Sequence, residues 1–203
     1  MKKSTEETKE LILKAAEKEF AEKGLYGARV DSIAALSGIN KRFIYSLFTN
    51  KEELYKVVLH EAYKKMARTE SEIFVDYKNC EDAIRRVIKM YFTYMENNPT
   101  YVSLILWENL NKGEYIKSIN LSDIKNKVYD YIYKIIKEGK EKGNFRADVS
   151  ESQTILSIMT LTFSYFSNRY TLSKLMDDKV DFGRDIDERI NNVTEMILKY
   201  IKK

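Results

Sequence analysis

Asp31-Ser32-Ile33-Ala34-Ala35-Leu36-Ser37-Gly38-Ile39-Asn40-Lys41-Arg42-Phe43-Ile44-Tyr45-Ser46-Leu47-Phe48 is the stretch on which the fold turns. It reads as a short helical segment from Val30 to Leu36, a tight turn at Ser37-Gly38-Ile39, and a second short helix capped by Asn40 and running to Phe48. Two brief helices around a glycine-containing turn have the geometry of a helix-turn-helix. Placed at about 100° per residue, Ile44 and Phe48 fall together, where they can anchor the second helix on Ile33 and Ala34. Arg42, Ser46 and Thr49 take the opposite side, with Tyr45 on the flank. Between Ser37 and Lys51 the chain carries Lys41, Arg42 and Lys51 and no acid. A thin apolar anchor behind a cationic face suits insertion into the major groove of duplex DNA.

The rest of the chain supplies the support. Leu11, Ile12, Ala15, Ala16 and Phe20 form the inner stripe of a first helix that Gly24 is expected to stop. Asn50 and Glu53 stand at N-cap and N3 spacing and open a longer helix with Leu54, Val58, Ala62 and Met66 on one side. Beyond it, helical spacing and the punctuation of Pro99, Gly113, Gly139 and Gly143 predict helices at 81–97, 101–111, 122–142, 151–172 and 186–201. Strict alternation over five or more residues is absent, so the expected class is all-α. The expected division is a helix-turn-helix domain at 1–50 and a helical domain at 51–203.

Composition bounds the function. With 203 residues, 44% hydrophobic, 33% charged and a single Pro, the chain can bury a substantial core. Thirty-five basic against 31 acidic side chains leave +4, too little to wrap nucleic acid unspecifically yet compatible with a local basic patch. One Cys and one His exclude a disulfide framework and any zinc site built from several such ligands, and no metal or cofactor is expected. No apolar core follows the basic pair Lys2-Lys3, so no secretory signal is expected and the cytoplasm is the natural compartment. The longest uncharged run, Ser152 to Asn168, falls short of the roughly 20 mainly apolar residues of a membrane span and reads as a buried helix. No Gly-rich phosphate loop or nucleophile elbow is present, which disfavours an enzyme. A carboxylate-based enzyme, or a helical small-molecule-binding or interaction protein without DNA binding, are the competing classes. The acid-free stretch from Ser37 to Lys51 favours DNA over both.

Residues 8–58 resemble the N-terminal DNA-binding domain of TetR-family transcriptional repressors. The resemblance runs through Ile12-Leu13-Lys14-Ala15-Ala16, Phe20, Gly24, Ile33-Ala34, Ser37-Gly38-Ile39, Tyr45, Phe48 and Lys51-Glu52-Glu53-Leu54. It implies that Lys41 and Arg42 open the recognition helix, that Tyr45 and Ser46 continue its surface, that Thr49 adds a hydroxyl, and that Lys51 holds the DNA backbone. Three positions depart from the pattern. Ala28 and Arg29 stand where many members have two hydroxyl residues, so the usual cap is lost and Arg29 offers charge in its place; a small residue is common where Arg42 stands, and a polar one where Phe43 does.

The resemblance further implies a helical C-terminal domain that binds a small effector and loses DNA affinity on binding it, with the helix opening at Lys51 as the lever. Tyr91, Tyr94, Met95, Trp107, Asn109, Tyr129, Tyr133 and Phe163 are the candidate contacts, a set of apolar walls with phenol and amide groups suited to an apolar or aromatic ligand. Phe166-Ser167-Asn168-Arg169-Tyr170 is similar to a stretch found in some members. Homodimers reading a palindromic operator are implied, the last two long helices pairing with their mates. The apolar excess of 155–166 and the stripe Ile190, Val193, Ile197 suit that pairing, and suit an intramolecular core equally.

Overall fold

The computed structural model describes residues 4–73, 77–122, 124, 127–177 and 179–203, with the side chains of 71–73, 127 and 128 outside the description. Among the described residues there are ten α-helices, one 3₁₀ turn at Ile116–Ser118 and no strand. The helices are α1 (Thr5–Gly27), α2 (Val30–Ser37), α3 (Lys41–Leu47), α4 (Lys51–Ile73), α5 (Cys80–Asn97), α6 (Pro99–Leu110), α7 (Lys127–Glu141), α8 (Glu151–Ser167), α9 (Arg169–Leu175) and α10 (Ile186–Ile201). The all-α expectation holds. No helix among the described residues is long and apolar enough to cross a membrane.

Contacts divide the chain into two compact units, Met1–Lys65 with Pro99–Asp123, and Met66–Asn98 with Ile124–Lys203. The first unit thus takes in the opening turns of α4 and all of α6 in addition to residues 1–50. Its core is Ile12, Ala16, Phe20, Ile33, Ile44, Leu54, Tyr55 and Leu59, with Leu104 contributed by α6. The reason α6 belongs here is visible at Gly24. That residue does not end α1, as its place in the sequence suggests, but kinks it at φ 65° and ψ 175° before a last turn to Gly27. The Trp107 indole of α6 lies against the bare Cα, so that an added Cβ would sit 2.8 Å from Cδ2, and Nε1 donates to Ala21 O at 3.2 Å. A residue with φ > 0 and no room for a side chain is a position only glycine fills without strain. Glu108, on the same helix and buried, accepts from the Tyr55 hydroxyl at 3.2 Å and from Ile116 N at 2.8 Å.

The second unit packs α5, α7, α8 and α10 through Ile84, Val87, Ile88, Phe92, Ile132, Ile136, Ile158 and Val193. The helix expected at 151–172 is broken into α8 and α9 at Asn168 (φ −111°, ψ 5°), whose side-chain amide donates to Ser164 O and to the hydroxyls of Ser164 and Ser167. Local side-chain bonds of this kind offer the backbone an alternative to the helical ladder. Ile190, Val193, Ile197 and Ile201 are buried within the unit, so this stripe is intramolecular core. The outer faces of α8 and α10 instead expose Leu156, Met159, Met196 and Tyr200.

Candidate functional site

The reading head is α2, its turn, and α3. Asn40 caps α3 by accepting from Phe43 N at 2.8 Å, and Gly38 ends α2 in the left-handed region at φ 70°, which lets the chain reverse within three residues. Ile44 is 1% exposed and Phe48 is buried, both in the same core as Ile33 with Ala34 packed at its edge. Lys41, Arg42, Phe43, Tyr45 and Ser46 of α3, with Thr49 just beyond it, are exposed. The division of the helix into an anchored and an outward face is therefore the one that its sequence predicts.

The individual side chains differ in how far they are committed. Arg42 makes no hydrogen bond or ion pair among the described residues, leaving its guanidinium fully available. Lys41 is paired across the turn with Asp31 of α2, at 2.9 Å, and the hydrogen bond from its ammonium holds its pKa above the usual lysine value. The stretch that is acid-free in sequence is therefore not acid-free in space; the pairing spans ten residues and has no signal in local composition. Lys51 is half-buried, and its Nζ donates to Ala28 O at 3.1 Å, tying the start of α4 to the entry of α2. Ser46 Oγ donates to Phe43 O at 2.7 Å. Tyr45 is 40% exposed.

Arg29 occupies the N-cap of α2 and gives no side-chain cap, in line with the departure read at Ala28-Arg29. An acceptor for the N-cap amide comes instead from another helix. Glu19 of α1, 2% exposed, accepts from Arg29 N at 3.1 Å and from Lys23 Nζ at 2.9 Å, with Ser32 as a further donor. Burial pushes its carboxyl up, and the bonds from Lys23 and Arg29 N outweigh burial to hold it below the usual carboxylate range. Sequence reading missed this residue, because a buried glutamate in an amphipathic helix looks like any other polar position; a charge on the apolar side of α1 was the only hint.

The candidate effector contacts are spread over both units. Trp107 and Asn109 lie in the first, the indole against α1 as described and the Asn109 amide donating to Ile105 O. The other six lie in the second. Tyr91, Tyr94 and Met95 are buried on α5, and Phe163 is half-buried on α8. Tyr129 and Tyr133 stack on the outer side of α7 at 6.0 Å, both exposed, with the Tyr129 hydroxyl 2.6 Å from Ser152 Oγ. Tyr91 donates to Oε1 of the buried Glu70 at 3.1 Å. Burial, only partly offset by that bond, pushes the Glu70 carboxyl up to about 7. A separate cavity of about 420 Å³ lies in the second unit between the end of α8, α9 and α10, with Tyr165, Leu172, Met176, Val180 and Phe182 among its walls; none of the eight candidates lines it.

Comparison with known proteins agrees with this geometry. Residues 12–58 match the model of bacterial regulatory proteins of the tetR family, and residues 81–197 that of the tetracyclin repressor-like C-terminal domain. The HTH-type transcriptional repressor NicS of Pseudomonas putida is 34% identical over 170 residues, covering 83% of this chain and 80% of its own. The HTH-type transcriptional repressor SCO4008 of Streptomyces coelicolor is 34% identical over 140 residues, covering 68% and 67%. Among solved structures, a TetR-family transcriptional regulator from Haemophilus influenzae covers 100% of both chains at TM-score 0.71 and 22% identity. The ketosteroid transcriptional regulator KstR2 of Mycobacterium tuberculosis covers 99% and 97% at TM-score 0.70 and 19% identity, a likeness of fold. Two family models in tandem, a relative aligned along most of both chains, and a reading head with its cations turned outward converge: this chain is a helix-turn-helix transcriptional regulator of the TetR family, a family of non-enzymatic regulators.

Proposed function

We propose that this regulator acts as a homodimeric repressor that grips a palindromic operator through two copies of α3 and releases it when a small apolar or aromatic effector binds residues 51–203. The observation that carries the DNA half is the face of α3, where Arg42 stands free beside Lys41, Tyr45 and Ser46 while Ile44 and Phe48 fix the helix from behind. Arg42 is assigned to a base edge, because guanidinium pairs bidentately with guanine O6 and N7. Lys41, Tyr45, Ser46 and Thr49 extend the contact. Arg29 and Lys51 are assigned to phosphates, Lys51 by exchanging its bond to Ala28 O for one to the backbone.

Dimerisation follows from the economy of reading. One short helix buries little surface, and two reading heads one DNA turn apart, roughly 34 to 36 Å, gain affinity and palindrome selectivity together. Leu156, Met159, Met196 and Tyr200 form the exposed apolar surface suited to such pairing. For the effector, Tyr91, Tyr94, Met95 and Phe163 are the buried or half-buried candidates; Trp107 holds the kink of α1, and Asn109, Tyr129 and Tyr133 offer polar or exposed groups. An effector dissociates the complex only by preferring a state whose reading heads do not fit the operator.

Selection of bound fragments from random duplex DNA tests the reading. An inverted repeat with a salt-sensitive affinity is expected, together with loss of that affinity in the presence of one member of a panel of small aromatic metabolites. Retention of no duplex at low salt would overturn it.

A further inference from the structure

We propose that the Phe43 ring reads the 5-methyl group of a thymine in each half-site, so that α3 discriminates by an apolar contact as well as by the Arg42 guanidinium. The inference rests on the DNA reading above and adds to it a residue and the base feature it recognises.

Phe43 is 37% exposed on a helix of seven residues whose two apolar anchors, Ile44 and Phe48, are already buried. The ring stands outside the core of the unit, and the part of it left in water forgoes the gain that full burial would bring. At about 100° per residue it stands beside Arg42, on the flank away from Tyr45. Of the five exposed side chains of α3, Phe43 alone has no hydrogen-bonding atom, so the only base information it can carry is apolar. On the major-groove edges that feature is the thymine methyl, for which a phenyl ring is a suitable partner. The backbone around it is pinned: Phe43 N donates to Asn40 Oδ1 at 2.8 Å and Phe43 O accepts from Ser46 Oγ at 2.7 Å. The neighbouring cations of Lys41 and Arg42 draw the same face toward a polyanion, in keeping with the duplex DNA of the reading above.

The experiment takes the selected inverted repeat and replaces each thymine pair in turn, one per half-site, by deoxyuridine, which keeps base pairing and removes only the methyl. One position is expected at which the wild-type protein loses about three- to fivefold in affinity per half-site, the worth of one buried methyl. Phe43→Ser should bind thymine and deoxyuridine duplexes alike at that position, with its salt slope unchanged, and Phe43→Leu should keep part of the preference. Because Phe43 is outside the core, both variants should still unfold cooperatively, with Phe43→Ser only modestly below the wild type, which separates lost reading from lost folding. Equal wild-type binding to every deoxyuridine duplex, or a methyl preference that survives in Phe43→Ser, overturns the assignment while leaving DNA binding intact. Failure of the wild type to bind any duplex overturns the reading beneath it.

Discussion

Of the buried glutamates, Glu19 in the first unit and Glu70 in the second behave in opposite ways. Glu19, in the first unit, is deeply buried yet held below the usual carboxylate range because Arg29 N, Lys23 and Ser32 all donate to it. Glu70, in the second, is nearly as buried and receives a hydrogen bond from the Tyr91 hydroxyl, with no cation acting on it among the described residues, and its carboxyl rises to about 7. Burial alone does not decide the charge of a buried acid; the donors that face it do. The same contrast runs over the surfaces. The first unit turns Lys41 and Arg42 outward on a short, firmly anchored helix, and the second turns Leu156, Met159, Met196 and Tyr200 outward on long ones. A cationic face calls for a polyanion, and an apolar face for another protein surface.

Four substitutions break or sharpen this contrast. Glu19→Gln removes a charge from several hydrogen bonds at once and is expected to cost about 2 to 4 kcal/mol at pH 7, read as a lower urea midpoint. Since the Glu19 pKa is depressed on folding, its contribution is present above the unfolded value of 4.5 and is lost as pH falls through the folded value, so wild type and variant should converge in acid. A constant gap down to pH 3 would show that packing, not charge, is at stake. Glu70→Gln runs the other way. The native state of the wild type keeps a proton that the unfolded chain has released between pH 4.5 and about 7, so stability falls as pH rises through that window. The variant should be more stable than wild type by up to about 3 kcal/mol above pH 7, and equal to it below pH 4. A variant that melts below wild type at pH 8 would mean that the carboxylate is needed.

At the reading head the effects are smaller and appear in DNA binding. Arg42→Ala should relax base preference at one position per half-site by about 1 to 3 kcal/mol, and unchanged selectivity across an operator library would remove it from base reading. Lys51→Met should weaken binding to all sequences alike and lower the slope of log affinity against log salt by about 0.9 for each phosphate lost. Were the slope to stay and only the melting temperature to drop, the bond to Ala28 O would be the whole of its role.

Local sequence carried the reading head well, and long-range sequence carried the rest poorly. The Asn40 cap, the turn at Gly38 and the buried pair Ile44 and Phe48 are set by neighbours within four residues, and they stand where spacing put them. The cap at Asn50 does too, with Glu53 N donating to Oδ1 at 2.7 Å. What escaped are the contacts that join distant segments: Asp31 to Lys41, Glu19 to Arg29, Trp107 to Gly24. No period or motif encodes such meetings. The stripe on α10 shows a further limit, since periodicity marks a face as apolar without saying whether its partner is the same chain or a second one; Ile190, Val193 and Ile197 turn inward, and the side chains left outside are ones that helical spacing did not single out.

The carboxylate of α1 that holds the amide of Arg29 has a consequence for variation in this regulator. Ala28 is packed in the core at 3% exposure, but because the N-cap amide of α2 borrows its acceptor from a neighbouring helix, the exposed side chain at position 29 is relieved of local structural duty, and only the N–H of residue 29 is required. Substitutions there that keep that N–H should alter operator affinity while sparing the fold, making this entry corner a place where recognition can drift at little structural expense. Proline at 29, which lacks the donor, is the exception.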